Sequence, residues 1–321
     1  MKPAGEGAAP LETNRIHQGD ARKLLPRVAA ESIALSVWSP PYFVGKSYEA
    51  DWTFDEWREL LETVIAAQHR LLKPGGFLAV NIADILCFPD PEMPKIQAEN
   101  VSRKNRLPVT REDIQRVWSA HPDWNRYQIA AHLGVSEQTV DRRLNHNNIR
   151  GGKHAVQTRV QLTGSLVAES ARRAGLFLYD RRIWVKDATW ENSRWHTNSY
   201  RAVDEFEYVY IFWKPGITRI DRERLDAGEW AEWGSRGVWH IDSVRRNDDH
   251  EAKFPLELPR RLIRLLTDPG ETVLDPFVGS GTSAVAAIQL QRKYVGIDAE
   301  PRYVRLARRR VADAGDRLPG L

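Results

Sequence analysis

Residues 272–282 read TVLDPFVGSGT, and residues 293–301 read KYVGIDAEP. Each opens as a short apolar strand that ends on a carboxylate, Asp275 in the first and Asp298 in the second. The apolar run between them, headed by Thr282, has helical spacing, so together they form a β-α-β unit. Gly279 and Gly281 let the backbone of the first turn approach a ligand closely, and the helix that follows offers free N–H groups. The turn is not a phosphate cradle: no Lys-[Ser/Thr] follows its glycines, and Asp275 suits a cationic or hydroxyl-bearing ligand better than a phosphate. A carboxylate at the tip of the second strand is where a ribose diol is gripped. Either piece alone is a weak signal. At this spacing the pair predicts a nucleoside cofactor.

Outward from this unit, strands and helices alternate. The pattern predicts strands at 14–18, 32–37 and 77–82, with helices at 21–30 and 54–72, the second stopped by Lys73-Pro74-Gly75-Gly76. A helix at 158–174, strands at 176–186 and 206–213, and helices at 256–266, 282–290 and 301–311 complete the alternation around the two cofactor strands. Residues 215–239, rich in Gly and Trp, show no clear periodicity. Short punctuated loops between alternating elements predict an α/β fold with a mostly parallel twisted sheet. From about 89 to 152 the alternation breaks into three helix-like runs with no strand between them.

Composition sets the outer bounds. The 321 residues are 42% hydrophobic and 28% charged, enough for one large domain with an insertion. The most apolar stretch, 77–88, is too short and too interrupted to span a bilayer, and residues 1–13 lack a signal-peptide core, reading as a loose arm. A single cysteine, Cys87, excludes a disulfide framework and fits a reducing cytoplasm. The nine histidines show no metal-ligand spacing, so no metal is assigned. Net charge is +4, yet residues 100–159 hold eleven Lys/Arg against five Asp/Glu. That surplus exceeds the whole chain's and suits a surface facing a polyanion.

The strand at 32–37 runs into Ser39-Pro40-Pro41-Tyr42, where two prolines fix φ and remove two backbone donors. Such a rigid loop can hold a hydroxyl, carbonyl oxygens and an aromatic face around a planar substrate. DPFVGSGT (275–282), GIDAEP (296–301) and this upstream SPPY together resemble the amino-methylating DNA methyltransferases. HQGDARKLL (17–25), LLKPGGFLAVNI (71–82) and HEAKFP (250–255) extend the likeness over roughly 14–82 and 176–312. The order, SPPY first and the cofactor loop near the end, is that of the permuted β subgroup. The resemblance implies a Rossmann-like class I methyltransferase fold using S-adenosyl-L-methionine. It places Asp20, Phe254, Pro255, Asp275, Pro276, Phe277, Gly279, Ser280, Gly281, Thr282 and Asp298 around that cofactor. Ser39, Pro40, Pro41 and Tyr42 become the catalytic loop, acting on an amine of a base flipped out of double-stranded DNA. Ser at the first position resembles the cytosine-N4 enzymes, with adenine-N6 as the alternative. A DNA-binding regulator with an inactive methyltransferase fold is the rival from a different class. A homodimer and a cognate restriction endonuclease are partners compatible with the family. The permuted order further predicts that residues 15–17 pair in parallel with 294–297, from opposite ends of the chain.

Residues 125–150, NRYQIAAHLGVSEQTVDRRLNHNNIR, carry their own pattern: Ala130, Gly134 and Val140 match helix-turn-helix spacing. Its second helix would present Gln138, Thr139, Arg142 and Arg143 to DNA, with Arg150 and Lys153 beyond it. Trp190, Arg194 and Trp195 are further candidates for DNA contact; most of the twelve tryptophans suit packing. The expected division is a flexible arm (1–13), a catalytic half (14–88), a helical recognition insertion (89–157), returning strands (158–214), a short variable target-recognition region (215–249) and a cofactor half (250–321).

Overall fold

The computed structural model describes residues 9–43, 52–94, 109–145, 157–187, 202, 204–244 and 255–316. In chain order these form β1 (Arg15–Gln18), α1 (Ala21–Leu24), β2 (Ile33–Trp38), α2 (Phe54–Leu71), β3 (Leu72–Ile82) and β4 (Ile85–Asp90). Next come α3 (Arg111–Ala120), α4 (Arg126–His132), α5 (Glu137–Asn145), β5 (Gln157–Gln161), α6 (Thr163–Arg173), β6 (Phe177–Val185) and β7 (Phe206–Trp213). The chain ends with α7 (Ala227–Glu229), β8 (Val238–His240), α8 (Glu257–Leu266), β9 (Thr272–Asp275), α9 (Thr282–Gln289), β10 (Lys293–Asp298) and α10 (Pro301–Asp316).

Two compact units result: one of residues up to Ile85, 162–187 and from Ala202 onward, the other of Leu86–Gln161. The larger unit is built on an eight-stranded sheet in the order β1-β10-β9-β2-β3-β7-β6-β8. From β1 to β3 every neighbouring pair is parallel; β7 runs antiparallel to β3 and β6, and β8 pairs in parallel with β6. Alternate strand residues face opposite ways, and two cores follow. Leu35, Val37, Ala79, Val209 and Ile211 pack with α8, α9 and α10, while Ile33, Trp38, Leu78, Val80 and Phe212 pack with α2 and α6. α2 shows why a helix forms here. Thr53 and Glu56 close a capping box at its start, and Trp57, Leu60, Leu61, Val64 and Ile65 form one buried stripe.

The predicted pairing of the chain's two ends is present, Arg15 opposite Val295 and His17 opposite Ile297. Several expected elements are different. The helix expected at 21–30 is a single turn followed by a 3-10 turn at Leu25–Arg27, because Pro26 ends the α-helix. Lys73–Gly76 does not separate α2 from a strand. It bulges within β3, since Leu72 already pairs with Ile33 before Phe77 pairs with Leu35. The helix expected at 158–174 starts only at Thr163. The residues before it form β5, which pairs with β4 in a two-stranded sheet flanking the three helices, between which no strand lies among the described residues. In the aperiodic stretch, β8 adds an edge strand to the main sheet, and Trp233 and Trp239 are buried.

The smaller unit holds α3, α4 and α5 around Ile114, Ile129, Ala130 and Val140. Residues 133–136 join α4 to α5, with Ser136 Oγ accepting from Thr139 N at 3.3 Å. Gln138, Arg142 and Arg143 are exposed, whereas Thr139 is half-buried with its hydroxyl 3.0 Å from that of Ser136.

Candidate active site

Because β1, β10, β9 and β2 are parallel, their C-terminal ends share one edge of the sheet. Strand order reverses between β9 and β2, where open α/β sheets hold ligands. A cavity of about 190 Å³ opens there, lined by Asp20, Ser39, Tyr42, Phe277, Gly279 and Asp298 among others.

Asp298 closes β10. Its Oδ2 accepts from Gly279 N and its Oδ1 from Glu300 N, both at 2.8 Å. Burial lifts its carboxyl above the usual range, against those two hydrogen bonds. A carboxylate has about four acceptor sites, so two backbone bonds leave room for hydroxyls of a ligand. Gly281, at φ +86, precedes α9, and a Cβ there would lie 3.0 Å from Ala307 of α10. Glycine therefore lets the turn lie against α10 and keep Gly279, Ser280 and Thr282 in the cavity wall.

Asp275 behaves differently from the sequence expectation of a ligand contact. It is buried under the turn rather than in the cavity wall, accepting from Phe277 N at 2.9 Å and from Ser283 Oγ at 2.5 Å. Burial pushes its carboxyl up to about 7. Its geometry holds the loop from beneath. Asp20 lies in the wall, but its carboxylate caps α1 and is forked by Arg22, with Nη2–Oδ2 at 2.6 Å. The Arg22 hydrogen bond holds that carboxyl below its ordinary value.

On the opposite wall stands the Ser39–Tyr42 loop. Trp57 Nε1 donates to the Pro41 carbonyl at 2.6 Å, pinning the second proline to α2. Ser39 Oγ donates to the Tyr42 hydroxyl at 2.5 Å, its longer option being the Asn81 carbonyl at 3.1 Å. Tyr42 in turn donates to Glu207 Oε2 at 2.6 Å. Asn81 Nδ2 donates to Tyr42 and to Glu207, while Lys186 Nζ donates to Glu207 Oε1 at 2.8 Å and Asp204 at 2.9 Å. Sequence reasoning missed Asn81, Lys186, Asp204 and Glu207. One signal was available: Glu207 is a lone carboxylate inside the apolar strand FEYVYIFW.

The site thus brings together Asp20, Ser39, Pro40, Pro41, Tyr42, Pro276, Phe277, Gly279, Ser280, Thr282 and Asp298. Pro255 is buried, and Asp275 and Gly281 support the loop. Phe254, Arg150, Lys153, Trp190, Arg194 and Trp195 lie outside the described residues. Among the described residues no group of three or more His, Cys, Asp or Glu is placed to hold a metal, and no helix is long and apolar enough to cross a membrane.

Residues 33–309 match the profile of the DNA methylase family, N6_N4_Mtase. The chain belongs to that family. Type II methyltransferase M.BglI of Bacillus subtilis is 58% identical over 301 residues, covering 94% of this chain and 86% of its own. TTHA0409 of Thermus thermophilus, solved in complex with S-adenosyl-L-methionine, superposes with a TM-score of 0.60 at 26% identity, over 96% of this chain and 95% of that one. The PvuII DNA methyltransferase, cytosine-N4-specific, shares the fold: TM-score 0.56 at 19% identity, over 96% of this chain and 93% of its own. The family's match runs from the start of β2 into α10.

Proposed function

We propose that this DNA methylase is a permuted, SPPY-type enzyme that methylates the exocyclic N4 amine of a cytosine flipped out of double-stranded DNA. The methyl donor is S-adenosyl-L-methionine, which supplies a methyl group already activated on a sulfonium. The donor set fits it. Asp298 keeps acceptor capacity for a ribose diol, and Phe277 gives the cavity an apolar wall. Asp20 would meet the adenine end through a carboxylate whose Arg22 partner is exposed and able to yield.

One observation carries the catalytic assignment. The Ser39 hydroxyl spends its hydrogen on Tyr42, so only lone pairs face the cavity. An exocyclic amine is a poor nucleophile because its own lone pair is delocalised into the ring. Ser39 Oγ accepting one N–H and the Pro40 carbonyl the other would hold the nitrogen towards tetrahedral geometry. Two prolines and the Trp57 bond keep those acceptors placed before the substrate arrives, as preorganised electrostatics requires. Tyr42 offers its ring to the flipped base while its hydroxyl stays anchored.

In the smaller unit, α5 would read the duplex through exposed Gln138, Arg142 and Arg143. Thr139, with its hydroxyl engaged by Ser136, serves the helix start instead. A restriction endonuclease of the same site is the matching partner. The test is mass spectrometry of nucleosides from DNA modified by the protein. N4-methylcytosine supports the assignment, N6-methyladenine replaces the base, and no methylated nucleoside refutes the activity. Ser39→Ala should abolish transfer while S-adenosyl-L-methionine still binds.

A further inference from the structure

The hydroxyl chain that begins at Ser39 ends on a carboxylate outside the nucleoside pocket. Glu207 is 7% exposed, on β7, and among the described residues it is reached through Tyr42 and Asn81 from the loop side and Lys186 from behind. Burial presses the Lys186 ammonium down, but Glu207 and Asp204 outweigh it and hold it above the ordinary lysine value. The charged groups facing Glu207 among the described residues are therefore one cation and a second carboxylate, with the Tyr42 hydroxyl in front. Two carboxylates against one ammonium leave the cluster anionic, directly behind the loop.

We propose that Glu207 sets the direction of the Ser39–Tyr42 hydrogen-bond chain and receives the proton released by methylation. The inference rests on reading Ser39 as the acceptor of the target amine's N–H. Direction follows from the acceptor-only nature of an ionised carboxylate. Glu207 can only accept from Tyr42, so Tyr42 accepts from Ser39, and Ser39 is left accepting from the cavity. Methyl transfer leaves the target nitrogen positively charged and one proton in excess. The N–H bond breaks towards Ser39 Oγ, the Ser39 proton passes to the Tyr42 oxygen, and the Tyr42 proton passes to Glu207 Oε2. Both hydroxyls end neutral with their hydrogens turned towards the base, the base is neutral, and the chain resets when Glu207 passes its proton to solvent. Lys186 fixes Oε1, keeping Oε2 towards Tyr42.

Glu207→Gln reverses the chain. Lys186 demands the amide oxygen, so the amide N–H₂ turns to Tyr42, Tyr42 donates to Ser39, and the Ser39 hydrogen meets the amine. The experiment uses the full chain, tritium-labelled S-adenosyl-L-methionine and unmethylated genomic DNA in single-turnover transfer. Expected for Glu207→Gln is a loss of about 10²-fold, the lower range for general acid–base groups, with binding of donor and DNA unchanged. Glu207→Asp, which keeps an acceptor-only carboxylate, recovers part of the rate. Tyr42→Phe leaves the Glu207–Lys186 pair intact and loses as much, carrying the test if Glu207→Gln does not fold. Wild-type rate in either variant, alongside an inactive Ser39→Ala, overturns the relay and spares the Ser39 assignment. A fully active Ser39→Ala overturns both.

Discussion

Replacing Asp275 by Asn should stabilise the protein at alkaline pH and leave it unchanged near pH 4. The carboxyl is buried beneath the cofactor turn, and that burial lifts it from 3.8 to about 7, with the Asp298 charge adding to the rise. The bonds from Ser283 and Phe277 pull the other way and are outweighed. Below about pH 4 folded and unfolded chains both hold the proton, so pH has no leverage there. Between about 4 and about 7 only the folded state holds it, and stability falls by about 1.4 kcal/mol per unit as pH rises. The accumulated loss is about 4 kcal/mol by pH 7, level above it. Asparagine mimics the protonated acid: its Oδ1 accepts from Phe277 N, and its N–H₂ donates to Ser283 Oγ. It does not titrate. Urea unfolding of both proteins from pH 4.5 to 8.5 isolates the term, because titrations not coupled to Asp275 cancel in the difference. Asp275→Asn should gain on wild type steadily, by at least about 2 kcal/mol at pH 8.5. A difference that stays constant across pH would refute the account of Asp275 as a proton-holding support.

Asp298→Ala removes the proposed ribose acceptor together with the clamp on Gly279 N. Calorimetry should find S-adenosyl-L-methionine binding weakened about 10- to 100-fold, the range for hydrogen bonds to a charged group; unchanged affinity would move the ribose elsewhere. Gly75 sits at φ +79 in the β3 bulge, where a Cβ would lie 2.1 Å from the Ile217 carbonyl oxygen. Gly75→Ala should cost more than about 2 kcal/mol in urea unfolding, and a wild-type midpoint would mean the 215–218 loop gives way freely. Arg142→Ala and Arg143→Ala should each lower the slope of log affinity against log salt by about 1 if they contact phosphates. A base-reading arginine would instead lose discrimination between sites.

The strands and the nucleoside end of the site were legible because their determinants are local. Asp298 follows an apolar strand of five residues, and Gly281 must precede a helix lying on α10; both constraints are written within a few residues. Even the parallel pairing of residues 15–17 beside 294–297 could be drawn from the order of motifs alone. β5 was not legible, because its partner β4 lies some seventy residues earlier and its own sequence, QTRVQ, has no apolar face. Asp275 was misplaced for a related reason. A carboxylate at a strand end looks the same whether it points at a ligand or under the loop, and only the position of Ser283, at the start of α9, decides. The acid behind the Ser39–Tyr42 loop lies further still from local reach. Tyr42 and Glu207 are 165 residues apart, and they meet because β7 runs antiparallel beside β3, bringing its first residues to the edge where the parallel strands end. A charged residue in an apolar strand is costly unless it is paired and hydrogen-bonded. Glu207 in FEYVYIFW therefore signalled a buried partner without saying which, and among the described residues the fold supplied three: Lys186 for its charge, and Tyr42 and Asn81 for its second oxygen. An SPPY loop in this setting is more than a rigid turn with an aromatic rim. Its serine owes the direction of its hydroxyl to a carboxylate on the far side of the sequence, so mutations in β7 should alter chemistry at Ser39 without touching the cofactor.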